Sequence, residues 1–392
     1  MAPKDNPLRA SDVRERNEKL VLRLIREAGS RGYSQSEAVQ ATGLKAPSVF
    51  RIFSSLETAG FIGPLVAPSL GDSVRERKGR PRVCYAVKAG FLFTLGVEFW
   101  VDRVSVGLFD FCGDTLYSQD QQMTRGVDAD AVVEIVAQAA ETAMANVGVD
   151  KERVLGLGIG APGQVNVRAR EIAFYSRING MRDYPMAARL EARLGIPVSM
   201  HNNCSVIALA EYRYRLMGKH DSVFMFLLRS GVNGAFVDGG RIYLASDGTT
   251  IETGHIAIDR NGEPCACGAR GCLEAYITAL DRQSWESGHW LFGELAEAMD
   301  NGTATGDDVL GQAAQYIATA TRTVNRLFRP KHFLIVGASL TVAEALARLS
   351  VEYLAKAPSG FDRPLPTFEG RAYEKRLAQL GAADLVLETF FS

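Results

Sequence analysis

The pattern that most restricts the fold is a three-strand unit that occurs twice. Leu95–Tyr117 reads as a strand, a turn, a second strand ending at Asp110-Phe111, a Cys112-Gly113-Asp114 turn and a third strand. Val223–Ala245 repeats that plan, with turns around Ser230–Gly234 and Asp238-Gly239-Gly240. Between the two meanders lie an amphipathic helix (Asp130–Asn146), a buried strand (Val154–Gly160) and a helix (Pro185–Leu194) leading to Pro197–Met200. Helical segments follow the second meander, and then the apolar strand Phe333–Val336 closes on Gly337. A duplicated unit of this kind predicts two α/β lobes, about 90–200 and 201–392, around a cleft that holds a ligand.

Residues 11–89 read differently. Val13, Leu20, Val21, Leu24, Ile25 and Ala28 recur at helical spacing until Gly29 and Gly32 end the helix. A short helix, Gln35–Ala41, opens after Ser34, whose hydroxyl can cap it while Glu37 adds a first-turn carboxylate. Thr42-Gly43-Leu44 makes a tight turn into a third helix, Ala46–Ala59, with Pro47 in its first turn. Val49, Ile52, Phe53 and Leu56 face inward; Lys45, Ser48 and Arg51 face outward, with Phe50 the one bulky apolar residue among them. Phe61–Lys88 then offers two strands around the loop Pro68–Arg82, which carries Arg75, Arg77, Lys78, Arg80 and Arg82. This order suits an α+β winged helix-turn-helix with its third helix in a DNA major groove and its basic wing on the backbone or in a minor groove. Charge agrees: residues 1–90 hold 16 Lys/Arg against 9 Asp/Glu, a net of +7, whereas the remainder carries −8. Lys45, Ser48, Arg51, Arg80 and Arg82 are the candidate DNA contacts, and residues 1–10 form a tail. A small helical interaction domain with a solvated basic loop is the competing reading.

The chain has 392 residues and six cysteines, too few for a disulfide scaffold. Its longest apolar stretches, such as Val223–Leu228, are far too short for a membrane span, and no signal peptide is visible. The expectation is therefore a cytoplasmic protein with reduced thiols, no membrane partner, and clustered cysteines acting as metal ligands. His255, Cys265, Cys267 and Cys272 form such a cluster, His-x9-Cys-x-Cys-x4-Cys, with Gly268 and Gly271 permitting a tight fold. Three thiolates and one imidazole complete a tetrahedral Zn2+ shell, so the site is structural and leaves no position for water. Cys84, Cys112 and Cys204 stand alone and read as packing residues.

The string Glu252-Thr-Gly-His255, followed by Cys265-Ala-Cys-Gly-Ala-Arg-Gly-Cys-Leu-Glu274, resembles the signature of the ROK family (repressors, open reading frames, kinases). The resemblance extends to Gly79-Arg80-Pro81 after the wing, and to Gly160-Ala-Pro-Gly163, Gly195-Ile-Pro-Val198 and Leu380-Gly-Ala-Ala383 in the body. It implies an actin-like (ribonuclease H-like) two-lobed sugar-kinase fold over 90–392, preceded by the DNA-binding head. Members are sugar kinases or sugar-responsive regulators.

The kinase motifs are altered here. Where family kinases carry Asp-x-Gly-Gly-Thr, this chain has Glu98-Phe99-Trp100-Val101-Asp102, filling space that backbone must leave for phosphate. The second phosphate loop appears as Arg229-Ser-Gly-Val-Asn-Gly-Ala235, and the nucleoside-side Gly-Gly is Gly337-Ala338. Asn203 stands where the resemblance places the catalytic Asp, and an amide cannot serve as the general base for phosphoryl transfer. The resemblance places Asn202, Glu252, His255 and Glu274 at sugar-binding positions, with Asn203 still able to bond a hydroxyl. The competing reading is that Glu252 and Glu274 merely brace the zinc loop. The expected protein is a homodimeric regulator, with a tetramer as a further option, that represses carbohydrate genes from double-stranded operator DNA and responds to a sugar or sugar derivative. The rivals are an ATP-dependent sugar kinase with an appended head, and a regulator whose effector is a protein.

Overall fold

The computed structural model describes residues 10–65, 83–124, 126–356 and 364–392. The head comprises α1 (Ala10–Glu27), β1 (Tyr33–Ser34), α2 (Gln35–Thr42), α3 (Ala46–Thr58), β2 (Ile62–Pro64) and β3 (Cys84–Val87). Ser34 and Glu37 go beyond the expected cap: the Ser34 hydroxyl accepts from the Glu37 amide while the Glu37 carboxylate accepts from the Ser34 amide. Val49, Ile52, Phe53 and Leu56 of α3 are buried as the spacing predicts. In α1 the spacing misleads at two positions. Val13 and Leu20 are exposed, and the buried face is Val21, Leu22 and Ile25. β3 pairs antiparallel with both β2 and β1, so the order of elements is compatible with a winged helix-turn-helix. The tail as far as residue 9, and the basic loop Pro68–Arg82 with Arg80 and Arg82, lie outside the described residues.

The body repeats one sheet topology. Its first half contains β4 (Phe93–Phe99), β5 (Arg103–Asp110), β6 (Thr115–Gln122), α4 (Ala129–Val147), β7 (Val154–Ala161), the short strands β8 (Gln164–Asn166), β9 (Glu171–Phe174) and β10 (Arg182–Tyr184), α5 (Met186–Leu194) and β11 (Val198–Asn202). Its second half contains α6 (Asn203–Glu211), β12 (Ser222–Leu228), β13 (Val232–Asp238), β14 (Arg241–Ile242), α7 (Leu273–Leu280), α8 (Arg282–Ser287), α9 (Gly293–Asp300), α10 (Asp307–Leu327), β15 (His332–Gly337), α11 (Leu340–Lys356), β16 (Thr367–Ala372) and α12 (Lys375–Phe391). The sheets run β6-β5-β4-β7-β11 and β14-β13-β12-β15-β16. In each, an antiparallel meander is extended by two parallel strands. The duplication read from the sequence is thus a duplication of topology.

Period-two alternation explains how the layers stack. In β12, Phe224, Phe226 and Leu228 join a core with α10 and α11, while Val223, Met225 and Leu227 join one with Val206, Ile207 and Leu209 of α6. In the first lobe, Leu95, Val97, Leu157 and Ile159 pack with α4 and α5. The opposite face of that sheet is taken by α12, whose backbone approaches so closely that a Cβ at Gly158 would fall on the Ala382 carbonyl oxygen.

The expected contiguous lobes therefore need one amendment. α12 ends the sequence of the second lobe but packs on the sheet of the first, because its small residues and the glycines of β4 and β7 fit together there. α6 and α12 form the layer between the sheets. Leu387 near the end of α12 shares a buried cluster with Val21, Ile25 and Phe53 of the head, joined by Phe111. Among the described residues no helix is long and apolar enough to cross a membrane.

Candidate functional site

β11 delivers the chain to the N-terminus of α6 at the lobe boundary. Asn202 caps this helix: its side-chain oxygen accepts from the Cys204 amide at 2.8 Å, and its side-chain nitrogen donates to the Gly163 carbonyl at 2.6 Å. Asn202, expected to bond the effector, is thus already engaged in joining α6 to the turn after β7. Asn203 is different. Its nitrogen donates to the Phe99 carbonyl at 2.9 Å, and its Oδ1 is buried without a partner.

Several more buried polar atoms in nearby segments lack partners, Thr253 Oγ1, Glu98 Oε1 and Trp100 Nε1 among them. Glu252 Oε1 is another. Burial, reinforced by the charge of Glu274, pushes that carboxyl up to about 7. A further one is the Tyr175 hydroxyl, whose ring lies against Gly163 and which burial pushes up to about 12. Buried groups of this kind ordinarily have partners, so each of these atoms is free to accept or donate a hydrogen bond. Glu274 lies close by but is engaged, its Oε2 accepting from the Val232 amide at 3.0 Å. Tyr175 was missed in the sequence because no local pattern announces it.

Nearby the lobes meet through a stack whose centre, Trp100 and Arg229, is buried and whose flanks, Trp290 and Tyr373, are half-buried. The Arg229 guanidinium lies 3.9 Å from the centre of the Trp100 ring and 5.4 Å from that of Trp290. Its Nη2 pairs with Asp102 at 3.3 Å. Tyr373 packs on Trp290 with ring centres 4.9 Å apart and donates its hydroxyl to Glu98. Glu98 is fully buried, and that desolvation raises its carboxyl above the ordinary range despite Arg229 nearby. Trp100 and Arg229 come from the two altered phosphate loops; Trp290 and Tyr373 are far away in sequence and joined only by folding. Arg177 adds a tie between the lobes, donating to the Trp285 carbonyl at 2.6 Å and to that of Ser230 at 3.3 Å.

The four metal-ligand candidates converge. One donor atom from each of His255, Cys265, Cys267 and Cys272 lies within 4.8 Å of all the others. Cys267 and Cys272 sulfurs are 3.7 Å apart, and the Cys265 sulfur is 3.6 Å from His255 Nδ1. Ligands at the usual Zn–S and Zn–N lengths on a tetrahedron have edges of about 3.8 and about 3.6 Å, so the donor set fits a tetrahedral ion of that size. Gly268 (φ 90°) and Gly271 (φ 72°) make the turns, and a Cβ at Gly271 would strike the Asp259 carbonyl.

On the head, Lys45 is the exposed N-cap residue of α3, Arg51 is exposed on its outer face and Ser48 is half-buried between them. Phe50 is 61% exposed beside Arg51, where the two line a shallow groove with Arg14, Ser54 and Ser55.

Known proteins share this architecture. A solved ROK family transcriptional regulator, described as a homologue of the E. coli MLC protein, superimposes with a TM-score of 0.78 at 22% identity, covering 97% of each chain. The glucokinase of Streptomyces coelicolor is 26% identical over 317 residues, 75% of this chain and 98% of its own. The xylose repressor of Bacillus subtilis is 24% identical over 274 residues, 68% of this chain and 66% of its own. The actin-like kinase fold inferred from the sequence is the fold of these neighbours, and since the ROK family model matches residues 94–389, the chain belongs to the ROK family.

Proposed function

We propose that the protein is a DNA-binding transcriptional regulator, a repressor of carbohydrate-utilisation genes, whose kinase-like body senses a sugar or sugar derivative without phosphorylating it. The observation that carries this reading is the stack in the crevice between the lobes. A kinase must leave room there for phosphate oxygens and supply backbone donors to them. Here Trp100, Arg229, Trp290 and Tyr373 fill the crevice, and Asp102 adds negative charge. Asn203 carries no basic lone pair near neutral pH, so it can bind a hydroxyl but not deprotonate one. Kinship to a protein named xylose repressor supports the same side of the family, while kinship to a glucokinase supports the rival, an active sugar kinase.

In this reading Asn203, Glu252 and Tyr175 bond the effector's hydroxyls, Asn202 fixes the helix that carries Asn203, and Glu274 and His255 border the site. His255, Cys265, Cys267 and Cys272 hold a structural Zn2+, which supplies a rigid cross-link for the loop after Glu252. Lys45, Ser48, Arg51, Arg80 and Arg82 contact operator DNA, and a homodimer presents two heads to two half-sites.

A thermal-shift screen of the full-length protein against hexoses, pentoses, amino sugars and sugar acids tests the sensor. A ligand at 100 times its Kd stabilises by about 2.7 kcal/mol, and Glu252→Ala should abolish that shift while leaving DNA binding intact. Turnover of ATP with any of these sugars at ordinary kinase rates would refute the proposal.

A further inference from the structure

One buried carboxylate lies between α1 of the head and the helix that starts at the candidate effector site. We propose that Asp384 is a relay residue, tying the far end of the effector-bearing helix α6 to α1 of the head so that displacement of either is transmitted to the other. Asp384 lies on α12 and is 1% exposed. From one side Arg213 Nη1 reaches its Oδ2 at 3.1 Å, and the Tyr214 hydroxyl lies 3.1 Å from Oδ1 and 3.0 Å from Oδ2. Both residues belong to a π-helical turn, Tyr212–Leu216, that continues α6 without a break. From the other side Arg26 Nη2 of α1 lies 3.9 Å from Oδ1, while Arg26 Nε donates to the Phe111 carbonyl at 2.8 Å. Glu388, one turn further along α12, gives Arg213 a second anionic partner.

Four features make this a connection rather than a static brace. α6 begins at Asn203, whose Oδ1 is one of the unpartnered buried atoms of the candidate effector site. Helix and π turn together span about 20 Å at 1.5 Å per residue, and α6 is seated directly on α12, since a Cβ at Gly381 would fall on the Val206 carbonyl oxygen. A shift at Asn203 is therefore carried to Arg213 and Tyr214 by a stiff element. The π turn is a wide, irregular turn of the sort that marks functional positions in helices. Lastly, a buried carboxylate stripped of a partner is costly, so Asp384 is held to Arg213 and Tyr214, and its charge attracts Arg26 3.9 Å away. Such coupling is reciprocal.

Hydrogen–deuterium exchange on the full-length protein tests it through Arg26→Gln, Arg213→Gln and Asp384→Asn. Arg26→Gln should speed exchange in Tyr212–Leu216, and Arg213→Gln should speed it in α1, each by about 2- to 30-fold, the range typical of coupling residues. Exchange that rises only in the helix carrying the substitution would overturn the relay. Should Asp384→Asn fail to fold, the two arginine variants, whose side chains are 16% and 18% exposed, carry the test alone. A second measurement uses a DNA pool selected on the unaltered protein, for which Arg213→Gln should change Kd although Arg213 lies outside the head. This arm rests on the regulator reading. Coupled exchange with unchanged DNA affinity would keep the relay and count against that reading.

Discussion

Trp100→Ala and Arg229→Met, made singly and together, measure how tightly the crevice is held. Trp100→Ala removes a buried ring, and a truncation of this size costs about 3–5 kcal/mol. Arg229→Met keeps the aliphatic stem but removes a charge-assisted hydrogen bond from Asp102, whose side chain is 30% exposed and can turn to water, a loss of about 1.5–3 kcal/mol. The two should not add. With the guanidinium 3.9 Å from the Trp100 ring and both groups out of water, the direct attraction is about 2 kcal/mol. The double variant should therefore be about 2 kcal/mol more stable than the sum of the singles implies, roughly a 30-fold difference in the unfolding constant. Urea titrations followed by far-ultraviolet circular dichroism, which does not depend on the lost indole, supply all four corners of the cycle. Additivity to within about 0.5 kcal/mol would refute the stack as a cohesive unit and reopen the crevice as a space that nucleotide could enter.

Two further outcomes follow from the same geometry. Purified protein should carry one zinc per chain by elemental analysis, and Cys267→Ser should lose the metal and lower the melting temperature; a metal-free protein of unchanged stability would exclude the four-ligand site. His201 is held neutral, its imidazole pushed down to about 3 by burial. The unfolded chain protonates near 6.5 and the folded one does not, so stability from this group is complete above that pH and falls as the pH drops towards 3. At pH 5.5 the loss relative to pH 8 is about 1.4 kcal/mol, and His201→Gln should lack that portion; equal decrements in parent and variant would exclude it.

The meanders were legible because their first strands, β4 and β12, are buried throughout and mostly apolar, and because turn residues punctuate them at matching intervals. The His255, Cys265, Cys267 and Cys272 cluster was legible because three of the four lie in one short loop. α12 was not recognised as a helix. It is buried on nearly every side, so it lacks an amphipathic stripe, and Gln379 and Asp384 interrupt its apolar run with polar residues whose partners are distant. Val13 and Leu20 satisfied a helical period yet found no neighbour to cover them. The stack of Arg229 with Trp100 and Trp290 is a tertiary product, joining residues that no spacing rule connects. Tyr175 and Arg177 are hidden for the same reason.

The closure of the head's core by Leu387, with Phe390 and Phe391 packed against it, has a consequence for how the protein is made. At synthesis rates of about 5–20 residues per second, the ribosome needs roughly 15–65 seconds to travel from the end of α3 to Leu387. During that interval the nascent head lacks the apolar surface that completes it. Translation itself thereby delays the head's maturation until the body has emerged.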